Sequence, residues 1–242
     1  KLPNRDYRGL VENEHLMLSL ARAAGLSVPA ARVWRLPAGG HALLVERFDR
    51  RGGARMHQED FCQATGRPPS AKYEVDGGPS LVEMIEVLTH ASVEPLDPLA
   101  RVRIQAFHVA TGNDDGHAKN FALRREPDVR LAPAYDLVCT RAFDHLDRHL
   151  GISVGGVRDA GAVGPHAWAT FADAANLPAP MAFQLNLVLD ELVTNSIDYG
   201  HAADAGGSGT IRLRLERIRD VVEVDLVDEG PAFDPRTLPD PD

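Results

Sequence analysis

Cysteine is close to absent: Cys62 and Cys139 are the only two in 242 residues. They lie far apart and form no metal-ligand pattern, which argues against a disulfide framework or a zinc site and leaves two buried or half-buried thiols. Long apolar runs are also missing. No stretch approaches the roughly 20 residues a helix needs to cross a bilayer, and the charged, proline-containing start does not read as a secretion signal. The expectation is a cytoplasmic protein without a membrane partner. Basic charge is in deficit, with 26 Lys and Arg against 35 Asp and Glu and a net charge of -9. A protein that wraps nucleic acid needs a clustered excess of Lys and Arg to neutralise phosphates, so no direct nucleic-acid contact is expected. Arg101, Arg103, Arg124, Arg125 and Arg130 form a local basic stretch, read as a solvated face in preference to a phosphate-facing one. What is present is ordinary for a globular chain: 44% hydrophobic and 25% charged residues, at a length that suits one large domain or two small ones.

The chemistry-bearing part lies mid-chain, in Asn113-Asp114-Asp115-Gly116-His117-Ala118-Lys119-Asn120-Phe121 followed by Ala132-Pro133-Ala134-Tyr135-Asp136. Asp115 and Asn120 have the Asp-x-x-x-x-Asn spacing of a kinase catalytic loop, and a second acid follows after a short stretch. Phosphoryl transfer needs one carboxylate near the attacking hydroxyl, and an amide with a second carboxylate to hold magnesium against the phosphates. The same residues are common in turns, so the spacing alone leaves both readings open. His117 reads as structural, holding the loop through its ring nitrogens. Lys119 is either a point charge beside the transferred phosphate or a solvated side chain.

Periodicity predicts a helix over residues 12–25, with Leu16, Leu18, Leu20 and Ala21 as apolar positions and Gly25 as C-cap. Short strands follow at 31–35 and 42–47, then helices at 59–65, 81–90 and 99–111, the last delivering the chain to the Asp115 loop. Strands at 121–123 and 129–131 bracket a turn around Pro127 and place Asp136 just beyond a hairpin. A short helix is expected over 166–176.

Ala42-Leu43-Leu44-Val45-Glu46-Arg47-Phe48-Asp49-Arg50, His57-Gln58-Glu59-Asp60-Phe61-Cys62-Gln63, Lys72-Tyr73-Glu74-Val75-Asp76-Gly77-Gly78-Pro79-Ser80, the Asp115 motif and Tyr135-Asp136 stand in the order found in HipA-family serine/threonine kinases. The resemblance runs over residues 1–176. It implies a protein-kinase-like α+β core binding ATP and Mg2+, with Asp115 as catalytic base and Asn120 and Asp136 as magnesium ligands. By the same resemblance Lys1 lies on the phosphate side and Glu46 to Phe48 fall on the hinge that meets adenine; Asp49, next to the hinge, and Lys119, by its place in the loop motif, are further nucleotide-side candidates. The implied substrate is a protein hydroxyl, with aminoacyl-tRNA synthetases as targets and a helix-turn-helix antitoxin as partner of a toxin-antitoxin system. The family's glycine-rich phosphate loop would precede Lys1, so the core is expected to be truncated at its N-terminus.

After Gly155 the character changes, and residues 177–182 read as a linker. An amphipathic helix is predicted over 181–199, placing Glu191 and Asn195 on one face, and a hairpin over 210–218 and 221–227 leads into Asp228-Glu229-Gly230-Pro231-Ala232-Phe233-Asp234-Pro235. This segment, 183–242, resembles the histidine-kinase-like ATPase fold, most nearly the RsbW type of anti-sigma-factor serine kinase. Asn195 is then similar to that family's magnesium asparagine, and Asp228 and Gly230 to its adenine-reading motif. A partial α/β sandwich is implied, with a sigma factor or anti-anti-sigma factor as a further partner. The alternatives to a HipA-type kinase are therefore an RsbW-like kinase and a non-catalytic nucleotide- or partner-binding module.

Overall fold

The computed structural model describes residues 1–176 except 38 and 126, and beyond them the backbone of two strands at 211–218 and 221–228. Helix α1 (Leu10–Ala23) ends as its sequence requires: Gly25 takes a left-handed φ of 73°, its N–H donates to the Arg22 carbonyl (3.0 Å), and Leu26 N–H donates to Ala21 (2.9 Å). Its inward face is Val11, Glu14, Met17, Leu18 and Ala21. Leu16 and Leu20, expected on the apolar side, are exposed. They fall between the buried positions of the 3.6-residue repeat, and a carboxylate, Glu14, occupies the face instead.

Strands β1 (Ala31–Arg35) and β2 (His41–Val45) pair antiparallel in the register Ala31 to Val45. The main chain of Lys1 lies beside β2, its carbonyl accepting from Leu43 N–H (2.9 Å) and its amino group donating to Leu43 O (2.6 Å). A small ribbon, β3 (Arg50–Arg51) with β4 (Ala54–Arg55), leads to β5 (Gln58–Asp60) and the one-turn helix α2 (Phe61–Ala64). A longer helix from residue 59 was expected. Glu59 and Asp60 instead pair with a later strand, and Asp60 caps α2 by accepting from Gln63 N–H (2.9 Å), which fixes the helix start one residue on.

Helix α3 (Leu81–Ala91) begins at a reciprocal Ser80–Glu83 capping box and packs against α4 (Asp97–Thr111). Strands β5, β6 (Ala122–Arg124) and β7 (Arg130–Leu131) form a three-stranded antiparallel sheet. Asp97, buried at the start of α4, accepts from Leu131 N–H (2.6 Å) and so ties α4 to β7. Strands β8 (His149–Val154) and β9 (Val157–Asp159) and helix α5 (Pro165–Ala174) complete this part, with Trp168 and Phe171 packed edge to face in the core. The last two strands, β10 (Ile211–Ile218) and β11 (Val221–Asp228), pair antiparallel as the alternation predicted. Among the described residues no helix is long and apolar enough to cross a membrane.

Under the loop that follows α4 lies a buried polar cluster. Arg101, expected on a solvated face, is fully buried, its guanidinium 3.7 Å from the centre of the Phe121 ring and bonded to Gln105 Oε1 (3.2 Å). It therefore cannot face a phosphate; it packs the core through its stem and a cation–π contact. Arg125 and Arg130 pair with Glu59 and Glu94. His108, one helical turn beyond Gln105, is buried against Phe121, and a Cβ on Gly116 would stand 2.1 Å from its Nδ1. Only glycine lets the loop come this close to the helix.

Burial, reinforced by the Arg101 charge, depresses the His108 pKa to about 3. The unfolded chain binds this proton near pH 6.5 and the folded chain does not, so folding loses about 1.4 kcal/mol per pH unit as pH falls from 6.5 toward 3. In urea titrations across that window, His108→Leu should show a shallower loss of stability than the parent. Parallel curves would contradict the neutral buried imidazole.

Candidate active site

Lys1, Glu14 and Asp136 meet where two clefts join. Lys1 Nζ donates to Glu14 Oε1 (2.8 Å) and to Asp136 Oδ1. Glu14 is almost completely buried on the inward face of α1, and desolvation raises its pKa despite the lysine's opposing pull. Burial works against the charged form of Lys1 too, but the bonds to Asp136 and Glu14 outweigh it and the pKa is raised overall. The ammonium is thus held charged between two acids.

Asp136 has φ 58°, a left-handed conformation that a non-glycine residue adopts at a cost of order 1 kcal/mol. That backbone turns its carboxylate toward both Lys1 and Asn120, whose Nδ2 donates to Asp136 Oδ2 (3.2 Å). Asn120 is buried in a single 3-10 turn, with Oδ1 accepting from His117 N–H (3.0 Å).

The adjacent acids of the loop part company. Asp114 is buried, bonded through its carboxylate to Arg141 Nε (3.0 Å) and through its N–H to Thr140 Oγ1 (2.9 Å). Asp115 is exposed on the larger cleft, of 620 Å³, which Lys1, Asn120 and Asp136 also line. Its Oδ1 accepts from the Tyr73 hydroxyl (2.5 Å). Sequence spacing favoured Asp115 of the two; Asp114 also lines this cleft, but it is buried and paired with Arg141, whereas Asp115 is exposed.

The smaller cleft, 310 Å³, is lined by Leu18, Val45, Glu46, Phe48 and Tyr135 besides the shared lysine and acids. Phe48 and Tyr135 lie with ring centres 5.4 Å apart, offering a flat apolar wall, and Tyr135 donates to the Lys119 carbonyl (2.9 Å). Asp49 reaches the same cleft, but its carboxylate is engaged by Arg47 and Arg50 (both 2.6 Å), which hold its pKa down at about 2. Lys119 lines neither cleft; its Nζ pairs with Asp60 Oδ2 (3.2 Å), anchoring the loop to the start of α2. His117 holds the loop through its main chain, not its ring: Nδ1 is buried without a partner among the described residues, and the ring meets Tyr73 edge-on at 5.1 Å. Desolvation and the Lys72 charge lower its pKa, which favours the neutral ring.

The structure thus gathers Lys1, Glu46, Phe48, Asp115, Asn120 and Asp136 around one pair of clefts and leaves Lys119 outside them. Asn195 and Gly230, with Glu191, lie outside the described residues; Asp228 is the last residue of β11, described by its backbone alone. Glu14 and Tyr73 were missed. Glu14 had a legible signal, since it is the one acid on the three- and four-residue spacing of the buried face of α1. Tyr73 stands in the 72–80 motif that carries the resemblance, but its contact with Asp115, 42 positions away in sequence, had no local signal.

Comparison with known proteins gives the family and the fold. Residues 1–196 match the family model of the HipA-like C-terminal domain, and residues 162–242 match that of the histidine kinase-like ATPase domain. The chain is 36% identical to Y4mE, a protein of Sinorhizobium fredii named as a kinase, over 89% of this chain and 57% of that one. It is 30% identical to the serine/threonine-protein kinase toxin HipA of Shewanella oneidensis, over 71% of this chain and 44% of the relative. The solved complex of Shewanella oneidensis HipA with HipB and operator DNA contains a chain similar in fold, with a TM-score of 0.72 and 26% identity, over 79% of this chain and 49% of that one. The chain spans about half the length of the curated relatives it matches. The kinase-type loop, the lysine and its acids all fall within the first of the two matched stretches, which takes in most of the sequence, and the chain accordingly belongs to the HipA-like C-terminal domain family.

Proposed function

We propose that this chain is the ATP-binding, phosphoryl-transferring part of a HipA-type serine/threonine protein kinase. The observation that carries the reading is the convergence of Lys1 and Asp136 at the junction of two clefts, with Asn120 bonded to Asp136 and with Asp115 the exposed one of the two loop acids that line the larger cleft. Adenine fits the smaller cleft, between the 46–48 hinge and the Tyr135 ring, and the phosphates then extend toward Lys1. The donor set suits magnesium once the Asn120 amide turns, exchanging its Nδ2 bond to Asp136 for its oxygen: one carboxylate and one amide then supply hard oxygens, while no group of three or more His, Cys, Asp and Glu is poised to hold a metal among the described residues. Such a site takes its ion together with the phosphates that complete the coordination. Magnesium there would neutralise charge on the transferring group. Lys1 exchanges its contact with Asp136 for the phosphates and remains oriented by Glu14. Asp115 accepts the proton of the attacking hydroxyl as the phosphoryl group leaves ATP.

A relative named as a serine/threonine-protein kinase toxin supports a protein hydroxyl as acceptor, and the solved toxin–antitoxin complex with operator DNA supports an antitoxin as partner; an aminoacyl-tRNA synthetase as target and action in the cytoplasm rest on the family resemblance alone. Residues 1–176 form the kinase unit in this reading, 177–182 the linker and 183–242 the ATPase-like segment. A second reading, with nucleotide bound by an RsbW-like C-terminal segment through Asn195, Asp228 and Gly230, rests on the family match at 162–242.

Calorimetry separates them. One ATP–magnesium should bind per chain; Asp136→Ala should weaken it by about tenfold or more, since a ligand of a hard-oxygen site is lost, and Asp228→Ala should leave it intact. Magnesium without nucleotide should give no saturable heat. Binding lost with Asp228→Ala and kept with Asp136→Ala would move the site to the C-terminal segment. Asp115→Asn should slow phosphoryl transfer by about two to four orders of magnitude with little change in ATP affinity, as loss of a general base does. Undiminished transfer would remove Asp115 from the chemistry.

A further inference from the structure

The stretch 72–76 lies across the catalytic loop and is fixed at both ends. The Lys72 carbonyl accepts from Ala118 N–H (2.9 Å), and the Glu74 carboxylate accepts from Ser153 N–H (2.6 Å) and Ser153 Oγ (3.1 Å) on β8. Between these anchors the Tyr73 ring is held on three sides. Lys72 Nζ lies 4.7 Å from its centre, and the His117 ring meets it edge-on at 5.1 Å. Gly151 of β8 backs it so closely that a Cβ there would stand 3.2 Å from Tyr73 Cδ1 and 2.9 Å from the Gly116 carbonyl. The hydroxyl at the end of this braced ring donates to Asp115 Oδ1 at 2.5 Å. Asp115 Oδ2 has no hydrogen-bond partner among the described residues.

We propose that Tyr73 is the positioning residue of the catalytic base, its phenol fixing one oxygen of Asp115 so that the other is aimed at the acceptor hydroxyl. This rests on the reading of Asp115 given above. An exposed aspartate is otherwise free to rotate about χ1 and χ2, and a base must lie within hydrogen-bond reach of the proton it takes. A donor to the ionised form makes a charge-assisted bond, the short and strong kind. Burial, followed by the bond to Asp115, raises the Tyr73 pKa, so the phenol keeps its proton and donates through the range in which a kinase works. The phenol is a donor to the base and not an acceptor of phosphate.

Turnover of radiolabelled ATP–magnesium by the whole chain, counted as phosphate released to water or transferred to the chain, tests this. Tyr73→Phe keeps the ring and its packing and removes only the hydroxyl. It should lower kcat by about tenfold to a hundredfold, the worth of a hydrogen bond to a charged group, and leave KM for ATP unchanged. Combined with Asp115→Asn it should cost nothing further, because the two residues act as one unit. An unchanged kcat in Tyr73→Phe, or full additivity with Asp115→Asn, overturns the inference. Undiminished turnover in Asp115→Asn instead overturns the assignment of the base. Phosphate found on Tyr73 by mass spectrometry would make it an acceptor and overturn the positioning role. Independently of turnover, proton NMR should show a downfield tyrosine hydroxyl resonance that vanishes in Tyr73→Phe and moves upfield in Asp115→Asn; absence of that resonance in the parent contradicts the contact.

Discussion

One residue joins three separate parts of the chain: Lys1, whose main chain lies beside β2, reaches with its Nζ to Glu14 on α1 and Asp136 beyond β7. A carboxylate as buried as Glu14 is costly to ionise without a partner, and removing the partner of a buried charge costs about 3–5 kcal/mol, less here because Lys1 is itself half exposed. The fold must therefore bring β2, α1 and the 132–136 segment to one point. Both clefts open from that point, so the constraint that holds the charged groups together also sets where the adenine and phosphate ends of a nucleotide would lie.

The loop that carries Asp115 is rigid for a different reason. Its neighbours are buried and bonded: Asp114 to Arg141, His117 N–H to Asn120, and Gly116 against His108. Asp115 is the exposed exception. A catalytic carboxylate gains from this arrangement, since a group that reacts must be open to substrate while its geometry is set by neighbours that are not. Asp136 shows the same division, with a strained backbone fixed by its surroundings and a half-exposed side chain.

Much of this was legible in the sequence, and the misses have physical causes. Helix ends and strands set by local chemistry, such as Gly25 at the end of α1, the β1 strand and the β10–β11 pair, follow from residue type and alternation. The loop spacing of Asp115 and Asn120 is local too. The start of α2 was misplaced because Glu59 and Asp60 are claimed by a strand distant in sequence, which no local propensity reveals. Arg101 was misread because composition treats arginine as surface, whereas here the stem and an aromatic partner make it core. Lys119 was placed near phosphate by adjacency to the motif, yet its side chain turns to Asp60. Tyr73 stood in a quoted motif, yet its contact with Asp115 is tertiary in origin and no local spacing marks it.

The central claim is that the acids around Lys1 form the metal-nucleotide site. It is tested most directly by a crystal structure of the chain grown with Mn2+ and a non-hydrolysable ATP analogue, with the metal located by its anomalous scattering. The account predicts one strong peak at inner-sphere distance, about 2 Å, from oxygens of Asp136 and Asn120, with Lys1 Nζ moved from Asp136 onto the phosphates and adenine beside Phe48. A peak at Asp228, or nucleotide bound elsewhere with the Lys1–Asp136 pair intact, would contradict it.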